Sequence, residues 1–563
     1  MPSDFRQEFP FFENIKLDST PPTTVYLDSA ATSQRINCAM TASENYYRQY
    51  NANVHRGAYE LAQKATKVYE QARSNIAEFI GSNDSSTLVF TSGATEALNL
   101  IANGLTQNML NGKQIVVCES EHHANLLPWQ VLAKRFNLKL TRIPLAENGQ
   151  FGEEQLQYAK SLITEDVALL AIAHASNALG NIYPVETLCH LAKSANAISV
   201  IDGTQAAAHL DINVTNINCD FYVLSGHKMY AGTGVGVLYG RFALLRLLTP
   251  SKVGGEMISH ASFDNFEAQE PPLKFEAGTP NIAGVLSMTE AASFCRANLK
   301  AIQSHENALV NYLYSQLSSF KHMQIYGNEQ NSLPIVAFNL LPFHCNDLAS
   351  YLATEGIAVR AGHHCCMPLM QTLKIEGCVR VSIACYNTFQ DVDDFIAALR
   401  RFVEYMTVSD KENLSTQTTT STGSDLHIST EAHTSCSDTE KQLLAIDNWN
   451  EKHRQLLLIS RHLPILPPQA RTEINKVSGC ESSVWLASYK GPANNYRFLA
   501  YSNSKIIRGL LFVILDKINT LNTQTIAEFD IEMYLTYLGL FKFFSKGRRD
   551  GIRQVIRRIQ EEV

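Results

Sequence analysis

Reactive side chains cluster in one short segment, Arg360-Ala361-Gly362-His363-His364-Cys365-Cys366-Met367-Pro368. Its Gly and Pro disfavour regular structure, so the segment is predicted to be a loop. A thiolate is the nucleophilic form of cysteine, and neighbouring cationic groups favour it, so we predict that Cys365 is a reactive thiol. A metal site is the alternative. Because consecutive side chains diverge and the usual ligand spacing is absent, we predict that no metal binds there.

Three other segments carry groups that suit a phosphate-bearing ring. Ser225-Gly226-His227-Lys228 supplies an amine and two hydrogen-bonding groups directly after an apolar run. TSGATEAL has the composition of a strand-to-helix junction, where backbone N–H groups favour a phosphate, although an ordinary helix N-cap has the same composition. Asp202 ends the apolar run ISVID, and a buried carboxylate needs a cation or strong donor such as a pyridinium nitrogen. Capping of the next helix is the alternative for Asp202.

The elements that carry these groups alternate between strands and helices. Runs such as TLVFT, QIVVCE, ALLAIAH, ISVIDG and FYVLSGH alternate with helical segments, which predicts an α/β domain with a mostly parallel sheet. In such sheets the loops at the carboxyl ends of strands line the ligand crevice. Polar residues follow all five of these runs, so we expect a site there. From about Leu286 onward a smaller α+β lobe is predicted.

Composition divides the chain and limits the classes of function. Residues 408–438 are rich in Ser, Thr, Asp and Glu, which predicts a disordered linker, and apolar periodicity resumes in a second unit at 439–563. A net charge of -7 and a pI near 6.2 make a nucleic-acid partner unexpected. Without a membrane-length apolar run or a targeting signal, the expected location is the cytoplasm. The 12 dispersed cysteines fit a reducing compartment.

In residues 1–407 these motifs resemble the fold-type I pyridoxal-phosphate enzymes, and most closely the group II, SufS-like cysteine desulfurases. The resemblance implies an α/β aminotransferase-like large domain at about 25–285 and a small lobe formed by the N-terminal segment and about 286–407. The motifs that carry it are NVHRGAY, TSGATEALNL, SEHHANLLPWQ, HASNALGN, DGTQAAAH, SGHKMYAGTGVGVLYG, KFEAGTPN and RAGHHCCMPL.

The resemblance also implies roles for individual residues. Lys228 would bind pyridoxal 5'-phosphate covalently, and Cys365 would take sulfur from L-cysteine as a persulfide with release of alanine. A homodimer is implied. The remaining roles are a pyridine-nitrogen partner at Asp202, a phenolic-oxygen contact at Gln205, ring stacking and proton transfer at His123, phosphate contacts at Thr95, Ser225 and His227, a neighbouring-subunit phosphate contact at Thr279, and a substrate carboxylate site at Arg380, Arg360 and Asn177.

Cys366 departs from the family pattern, which generally has a small apolar residue at this position. A second thiol next to Cys365 could intercept the persulfide. A harmless substitution is the alternative, and the sequence leaves both open.

From about Thr439 the chain resembles SufE-like sulfur acceptors, through NWNEKHRQLLLISRHLP, VSGCESSVWLA, SNSKIIRGLLFVIL and SKGRRDGI. By that resemblance Cys480 accepts sulfur from Cys365, and Arg548 lies near it. An inert buried cysteine is the alternative for Cys480.

The whole chain is thus predicted to be a bifunctional desulfurase and sulfur-transfer protein. Iron-sulfur cluster assembly is the expected destination of the sulfur, with thiolated tRNA or thiamine as alternatives, and transfer within one chain or between two chains is left open. The rival functions are a selenocysteine lyase and a catalytically silent scaffold for the acceptor domain.

Overall fold

The computed structural model describes residues 5–13, 25–414, 436–477, 482–490, 496–541 and 546–563. Its strands are β1 Val25–Tyr26, β2 Leu88–Thr91, β3 Gln114–Cys118, β4 Lys139–Ile143, β5 Val167–Ala173, β6 Ile198–Asp202, β7 Phe221–Ser225, β8 Gly236–Gly240, β9 Ile258–Ala261, β10 Phe266–Ala268, β11 Met323–Tyr326, β12 Ile335–Leu340, β13 Ile357–Ala358, β14 Arg360–Gly362, β15 Cys378–Ser382, β16 Lys476–Val477, β17 Val484–Lys490 and β18 Tyr496–Ser502.

The α-helices lie between these strands and in the C-terminal part of the chain. They are α1 Asn37–Gln49, α2 Glu60–Phe79, α3 Ala94–Gly104, α4 Leu127–Phe136, α5 Glu153–Leu162, α6 Val185–Ser194, α7 Val214–Ile217, α8 Phe242–Leu247, α9 Ile282–Leu317, α10 Cys345–Thr354, α11 Met367–Thr372, α12 Phe389–Leu414, α13 Cys436–Leu444, α14 Trp449–Ile459, α15 Lys505–Ile518, α16 Thr523–Glu528, α17 Ile531–Tyr537 and α18 Lys546–Glu562.

A seven-stranded sheet with the order β2-β8-β7-β6-β5-β3-β4 forms the centre of the first compact unit. Strands β4, β3, β5, β6 and β7 are parallel, and β8 runs antiparallel to both of its neighbours, β7 and the edge strand β2. Every residue of β5 is buried, as expected for a strand covered on both faces by helices. Apolar clusters pack on the sheet, one containing Val116 and Ile201 and another containing Val117 and Val200. The predicted α/β class is confirmed.

A four-stranded sheet with the order β11-β12-β15-β14 belongs to the predicted smaller lobe. Strand β15 pairs antiparallel with both β12 and β14, and this register places Arg360 opposite Arg380. The segment after β14 leads into the loop that carries Cys365. The sheet therefore fixes the base of the loop that is predicted to be reactive.

The second compact unit has its own apolar core. Helix α15 is its centre, and residues such as Leu510, Val513 and Ile514 are buried against the antiparallel sheet β16-β17-β18 and the surrounding helices.

The compact units do not follow the predicted domain limits everywhere. The first contains Met1–Phe338 and Ala358–Asp393, and the second contains Asn339–Ile357 and Asp394–Val563. Helix α10 therefore belongs with the C-terminal part of the chain. Of the predicted linker, 415–435 lies outside the described residues, while α12 reaches Leu414 and α13 begins at Cys436.

A polar contact within the second unit links α10 to the start of α15. Asp347 is 1% exposed, and its carboxylate accepts hydrogen bonds from the Ser504 hydroxyl at 2.6 Å and from the N–H groups of Lys505 and Ile506 at 2.6 and 3.2 Å. A carboxylate is well suited to a helix N-terminus, where N–H groups lack partners within the helix. The Nδ2 atom of Asn346 also donates to the Ser482 hydroxyl at 3.0 Å.

Within the described part of the chain, we find no helix that combines the length and the apolar character needed to cross a membrane.

Candidate active site

A cavity of about 210 Å³ lies at the carboxyl ends of the central strands. All five loops predicted from the strand-end residues contribute to its wall, so the structure brings these loops together at one edge of the sheet. The lining residues shared with the sequence prediction are Thr95, Asn177, Asp202, Gln205, Ser225, His227 and Lys228.

Lys228 is the cavity residue best suited to act as a nucleophilic amine. It lies in a short 3-10 turn directly after β7. Burial lowers the pKa of Lys228 from its usual value to about 8, although the Asp202 carboxylate acts in the opposite direction. The neutral amine, which is the form that attacks a carbonyl group, is therefore a minor species near pH 7 but far more abundant than in an ordinary lysine.

Asp202 and its neighbours place hydrogen-bonding groups on another part of the wall. The Oδ1 atom of Asp202 accepts the Thr204 N–H at 3.0 Å in a turn, and no helix begins there within the described residues, so the helix-capping alternative from the sequence is not supported. The Thr204 hydroxyl is buried and has no hydrogen-bond partner in the described part of the chain. The Gln205 amide donates to the Ala30 carbonyl at 2.9 Å. A buried hydroxyl without a partner indicates that the cavity accommodates a polar ligand.

The wall near β2 has the features expected of a phosphate site. Thr95 lies in the first turn of α3, and the Ala94 N–H at that helix start donates to the Ser225 hydroxyl at 2.9 Å. His227 also lines the cavity, and burial lowers its pKa to about 4, so its ring is neutral at pH 7. Hydroxyl groups and a helix N-terminus thus converge at one end of the cavity.

The structure corrects the choice between two adjacent histidines. His122 lines the cavity, whereas His123, the sequence-based choice, does not. The Nδ1 atom of His122 caps a 3-10 turn by accepting the Ala124 N–H at 3.0 Å, while the Nε2 atom of His123 accepts the Met367 N–H at 3.3 Å. Consecutive side chains point in different directions, so only one of the pair can face the ring site. The two consecutive histidines in the sequence indicate that one of them lines the site, but they do not indicate which one.

The electrostatic environment of His122 keeps its ring neutral. Burial, reinforced by the charge of Lys228, lowers the pKa of His122 to about 4. Since Nδ1 accepts a hydrogen bond from the backbone, Nε2 carries the proton of the neutral ring. His122 can therefore donate a hydrogen bond from Nε2.

Glu121 is a buried residue near the site that the sequence prediction missed. Its carboxyl group accepts the Asn125 amide at 2.6 Å and the Ala173 N–H at 3.0 Å. Burial nevertheless raises the pKa of Glu121 to about 8, with a smaller contribution from Asp202. Its position between the end of β3 and His122 is the sequence feature from which its place near the site could have been predicted.

Cys365 lies exposed in a turn whose backbone takes the left-handed conformation at two successive residues. His364 has φ 53° and Cys365 has φ 56°. The turn is held by the His123 N–H, which donates to the Cys365 carbonyl at 2.8 Å, and by the Cys366 N–H, which donates to the His363 carbonyl at 2.8 Å. The loop is shorter than predicted, because Arg360–Gly362 form β14 and Met367 begins α11, and it presents the Cys365 thiol outward. Cys366, by contrast, is buried.

The predicted carboxylate-binding arginines share one anionic partner. Arg380 is buried and donates to Asp28 at 2.9 Å and to the Asn177 carbonyl at 2.8 Å. Arg360 is more exposed and donates to Asp28 at 3.0 Å. Neither arginine is among the residues that line the cavity, but the charge of Arg380 contributes to the lowered pKa of Lys228, so it acts on the same site. The Nε–H of Arg380 is buried without a partner among the described residues.

The other predicted residues lie elsewhere. Thr279 lines a separate cavity of about 240 Å³ together with Glu276 and Lys252. Cys480 lies outside the described residues, and Arg548 falls in α18, so their predicted proximity is outside what the structure describes. Within the described residues, no cluster of three or more His, Cys, Asp or Glu side chains has an arrangement suited to a metal ion.

Two family models match the chain. The model for aminotransferase class-V covers residues 25–395, and the model for the Fe-S metabolism associated domain, SufE, covers residues 437–563. Residues 396–436 lie between the two matches, and this interval contains most of the segment 408–438 that is predicted to be a linker.

Curated relatives match the first of these regions. A probable cysteine desulfurase of Vibrio cholerae is 40% identical over 403 residues, which is 71% of this chain and 98% of the relative. A probable cysteine desulfurase of Halalkalibacterium halodurans is 41% identical over 383 residues, covering 68% of this chain and 93% of the relative.

Solved structures give the same result. The apo cysteine desulfurase of Thermococcus onnurineus has a TM-score of 0.67 at 36% identity and matches 72% of this chain and 98% of its own. The cysteine desulfurase CsdA of Escherichia coli, in its S-sulfonic acid form, has a TM-score of 0.65 at 35% identity with the same coverage.

Proposed function

The chain belongs to the class-V aminotransferase family and ends in a SufE domain, and from this premise we propose that it is a pyridoxal-phosphate-dependent cysteine desulfurase that passes sulfur to its own acceptor domain. The substrate is L-cysteine and the first products are L-alanine and a persulfide on Cys365. The shared fold and the 40% identity to a full-length relative support the activity.

The cavity residues fit pyridoxal phosphate. Lys228 supplies the amine for the aldehyde, Asp202 supplies a carboxylate for the pyridine nitrogen, and the α3 start with Ser225 supplies donors for the phosphate. The unpartnered Thr204 hydroxyl gives a further polar contact. When bound, the cofactor stabilises negative charge that develops on the substrate carbon, which is the chemistry that side chains alone do not provide.

Cys365 performs the sulfur transfer in this proposal. Its thiolate attacks the sulfur of L-cysteine, an S–S bond forms, and the bond between the substrate β-carbon and sulfur breaks. The β-carbon then receives a proton, and alanine leaves. We assign proton donation at the substrate to Lys228 and to the Nε2–H of His122, because these groups face the cavity.

Arg380 is the proposed partner of the substrate carboxylate. Its guanidinium has a buried Nε–H without a partner in the described residues, and its fork geometry suits a carboxylate. Arg360 shares Asp28 with it and has a supporting role. Thr279 is assigned to the phosphate of a second subunit in a homodimer.

Cys480 receives the sulfur by thiol exchange in the second stage. The desulfurase and acceptor domains belong to one chain, so tethering raises the effective concentration of the acceptor to about the millimolar range. Arg548 is assigned to the vicinity of Cys480. We place the protein in the cytoplasm and expect an iron-sulfur cluster scaffold, or another sulfur acceptor protein, to be the next recipient.

The observation that carries this proposal is the exposed Cys365 turn beside a cavity that contains Lys228. The test is peptide mapping by mass spectrometry after brief exposure of the full-length holoprotein to L-cysteine, with alanine release measured in parallel. An adduct of about +32 Da on Cys365 and then on Cys480 is expected.

Two variants separate the stages of the relay. Cys365→Ala should retain the cofactor and form neither alanine nor adduct. Cys480→Ala should form the Cys365 adduct but release alanine more slowly than wild type over repeated turnovers. If wild-type protein forms neither adduct nor alanine, the catalytically silent scaffold is favoured. If Cys480→Ala and wild type release alanine at equal rates over repeated turnovers, transfer of sulfur from Cys365 to Cys480 is disproved.

A further inference from the structure

The side-chain amide of Asn177 is held by contacts on both of its polar atoms. Its Oδ1 accepts a hydrogen bond from the Cys366 thiol at 3.2 Å, and its Nδ2 donates to the His364 carbonyl at 2.8 Å. The Asn177 backbone carbonyl accepts from Arg380 at 2.8 Å. Asn177 also lines the cavity, so one buried residue connects the Cys365 turn, the proposed carboxylate-binding arginine and the substrate space.

Cys366 lies in an environment that suits a hydrogen-bond donor and not a sulfur carrier. Its exposure is 0%, and the Ser120 carbonyl provides a second acceptor for the thiol at 3.5 Å. Burial raises the pKa of the Cys366 thiol far above its usual value, so the group keeps its proton. The neighbouring Cys365 is exposed, because the left-handed backbone at His364 and Cys365 directs successive side chains apart.

The Cys366 proton determines the orientation of the Asn177 amide. An S–H group is a donor, so it selects Oδ1 as the atom that faces it, and this leaves Nδ2 to face the His364 carbonyl. If the thiol is removed, Oδ1 is left with one fewer donor in a buried place, where a missing hydrogen bond is costly. The amide then keeps only its Nδ2 contact with the His364 carbonyl and loses the one that fixes Oδ1.

We propose that Cys366 is a positioning residue, which fixes the Asn177 amide at the cavity wall in the orientation that contributes to binding of L-cysteine. This assignment rests on the proposed desulfurase function. It replaces interception of the persulfide as the role of the second thiol. Because the contact acts through Asn177, its effect is on substrate binding and not on the chemical step.

The kinetic test compares a variant that keeps a donor with one that lacks it. Cys366→Ala should raise KM for L-cysteine about three- to tenfold with kcat changed less than about twofold, as expected for one neutral hydrogen bond. Cys366→Ser retains an O–H donor and should stay within about twofold of wild type. Cys189→Ala, which changes a buried cysteine on α6, is the matched control and should leave KM unchanged. The proposal fails if Cys366→Ala has the wild-type KM or if Cys366→Ser behaves like Cys366→Ala.

A second test does not depend on turnover. Iodoacetamide labelling of the full-length holoprotein without L-cysteine, followed by peptide mapping, should modify Cys365 and leave Cys366 protected. Asn177→Ala should increase the labelling rate of Cys366 at least about tenfold, because the contact over its thiol is lost. If Cys366 is labelled equally slowly in Asn177→Ala and in wild type, the proposal that Asn177 covers the Cys366 thiol is wrong.

Peptide mapping after L-cysteine exposure distinguishes the two proposals. A sulfur adduct confined to Cys365 and Cys480 supports the positioning role, and an adduct on Cys366 overturns it. If wild type forms no adduct and no alanine, the desulfurase function has failed, while the labelling result still decides whether Cys366 and Asn177 are coupled.

Discussion

Asp347 in α10 accepts a hydrogen bond from the Ser504 hydroxyl at 2.6 Å, and with it caps the N-terminus of α15. The carboxylate also accepts the Lys505 and Ile506 N–H groups. Asp347→Ala removes these contacts and leaves buried donors, so we expect the second unit to lose about 1.5–3 kcal/mol of stability. Urea unfolding of the full-length protein, with hydrogen exchange at Lys505 and Ile506, measures this loss.

Asp530 is a control for the effect of removing a cap. It caps α17 through the Met533 N–H at 2.9 Å and is exposed. Asp530→Ala should cost about 1 kcal/mol, as for an ordinary N-cap. If Asp347→Ala costs no more than Asp530→Ala, burial adds nothing to the Asp347 contact.

The adjacent histidines give a matched pair of variants. His122→Ala removes the imidazole that faces the cavity, so we expect the rate of alanine formation to fall at least about 100-fold. His123→Ala removes a ring that contacts the Met367 N–H outside the cavity and should lower the rate less than about fivefold. A larger loss for His123→Ala than for His122→Ala would restore the sequence-based choice.

The lowered pKa of Lys228 predicts how cofactor uptake depends on pH. Only the neutral amine attacks the aldehyde, and the neutral fraction rises with pH through the pKa of about 8. The rate at which apo protein takes up pyridoxal phosphate should therefore rise between about pH 7 and 9 and then level off. Absorption of the lysine-bound cofactor follows the reaction. If the uptake rate still rises steeply toward pH 10.5, the pKa of Lys228 is that of an ordinary lysine. The Lys228→Ala variant should lack the absorption band at every pH.

The paired arginines should respond differently to the same substitution. Arg380→Lys replaces a buried fork that contacts both Asp28 and the Asn177 carbonyl, and we expect KM for L-cysteine to rise at least about tenfold. Arg360→Lys changes an exposed residue and should raise KM less than about threefold. Steady-state kinetics with L-cysteine measures both KM values. Equal increases in KM would contradict the distinction between a binding role for Arg380 and a supporting role for Arg360.

Much of the site follows from the sequence because strand ends are visible in it. Asp202, Ser225 and Lys228 each end or directly follow a buried apolar run, and the carboxyl ends of parallel strands meet at one edge of a sheet. The same reasoning predicts the α/β class and the place of the cavity.

Other features depend on geometry that local patterns do not contain. The choice between His122 and His123 depends on the backbone of the 3-10 turn after β3. The contact of Cys366 with Asn177 joins residues 189 positions apart, and that of Asp347 with Ser504 joins residues 157 positions apart. Such pairs form only once the chain has folded, so composition and periodicity do not reveal them.

The assignment of α10 to the second compact unit limits how the protein can be dissected. A fragment that ends at Thr407 would keep Asp347 and lose Ser504, so a carboxylate that is 1% exposed in the full chain would face water. A fragment that begins at Thr439 would keep the Ser504 N-cap of α15 and lose the Asp347 carboxylate that accepts the Lys505 and Ile506 N–H groups. Each fragment therefore lacks a contact that the full chain has. A comparison of activity between the full chain and a mixture of the two fragments would measure the loss of the Asp347 contact as well as the loss of the covalent link.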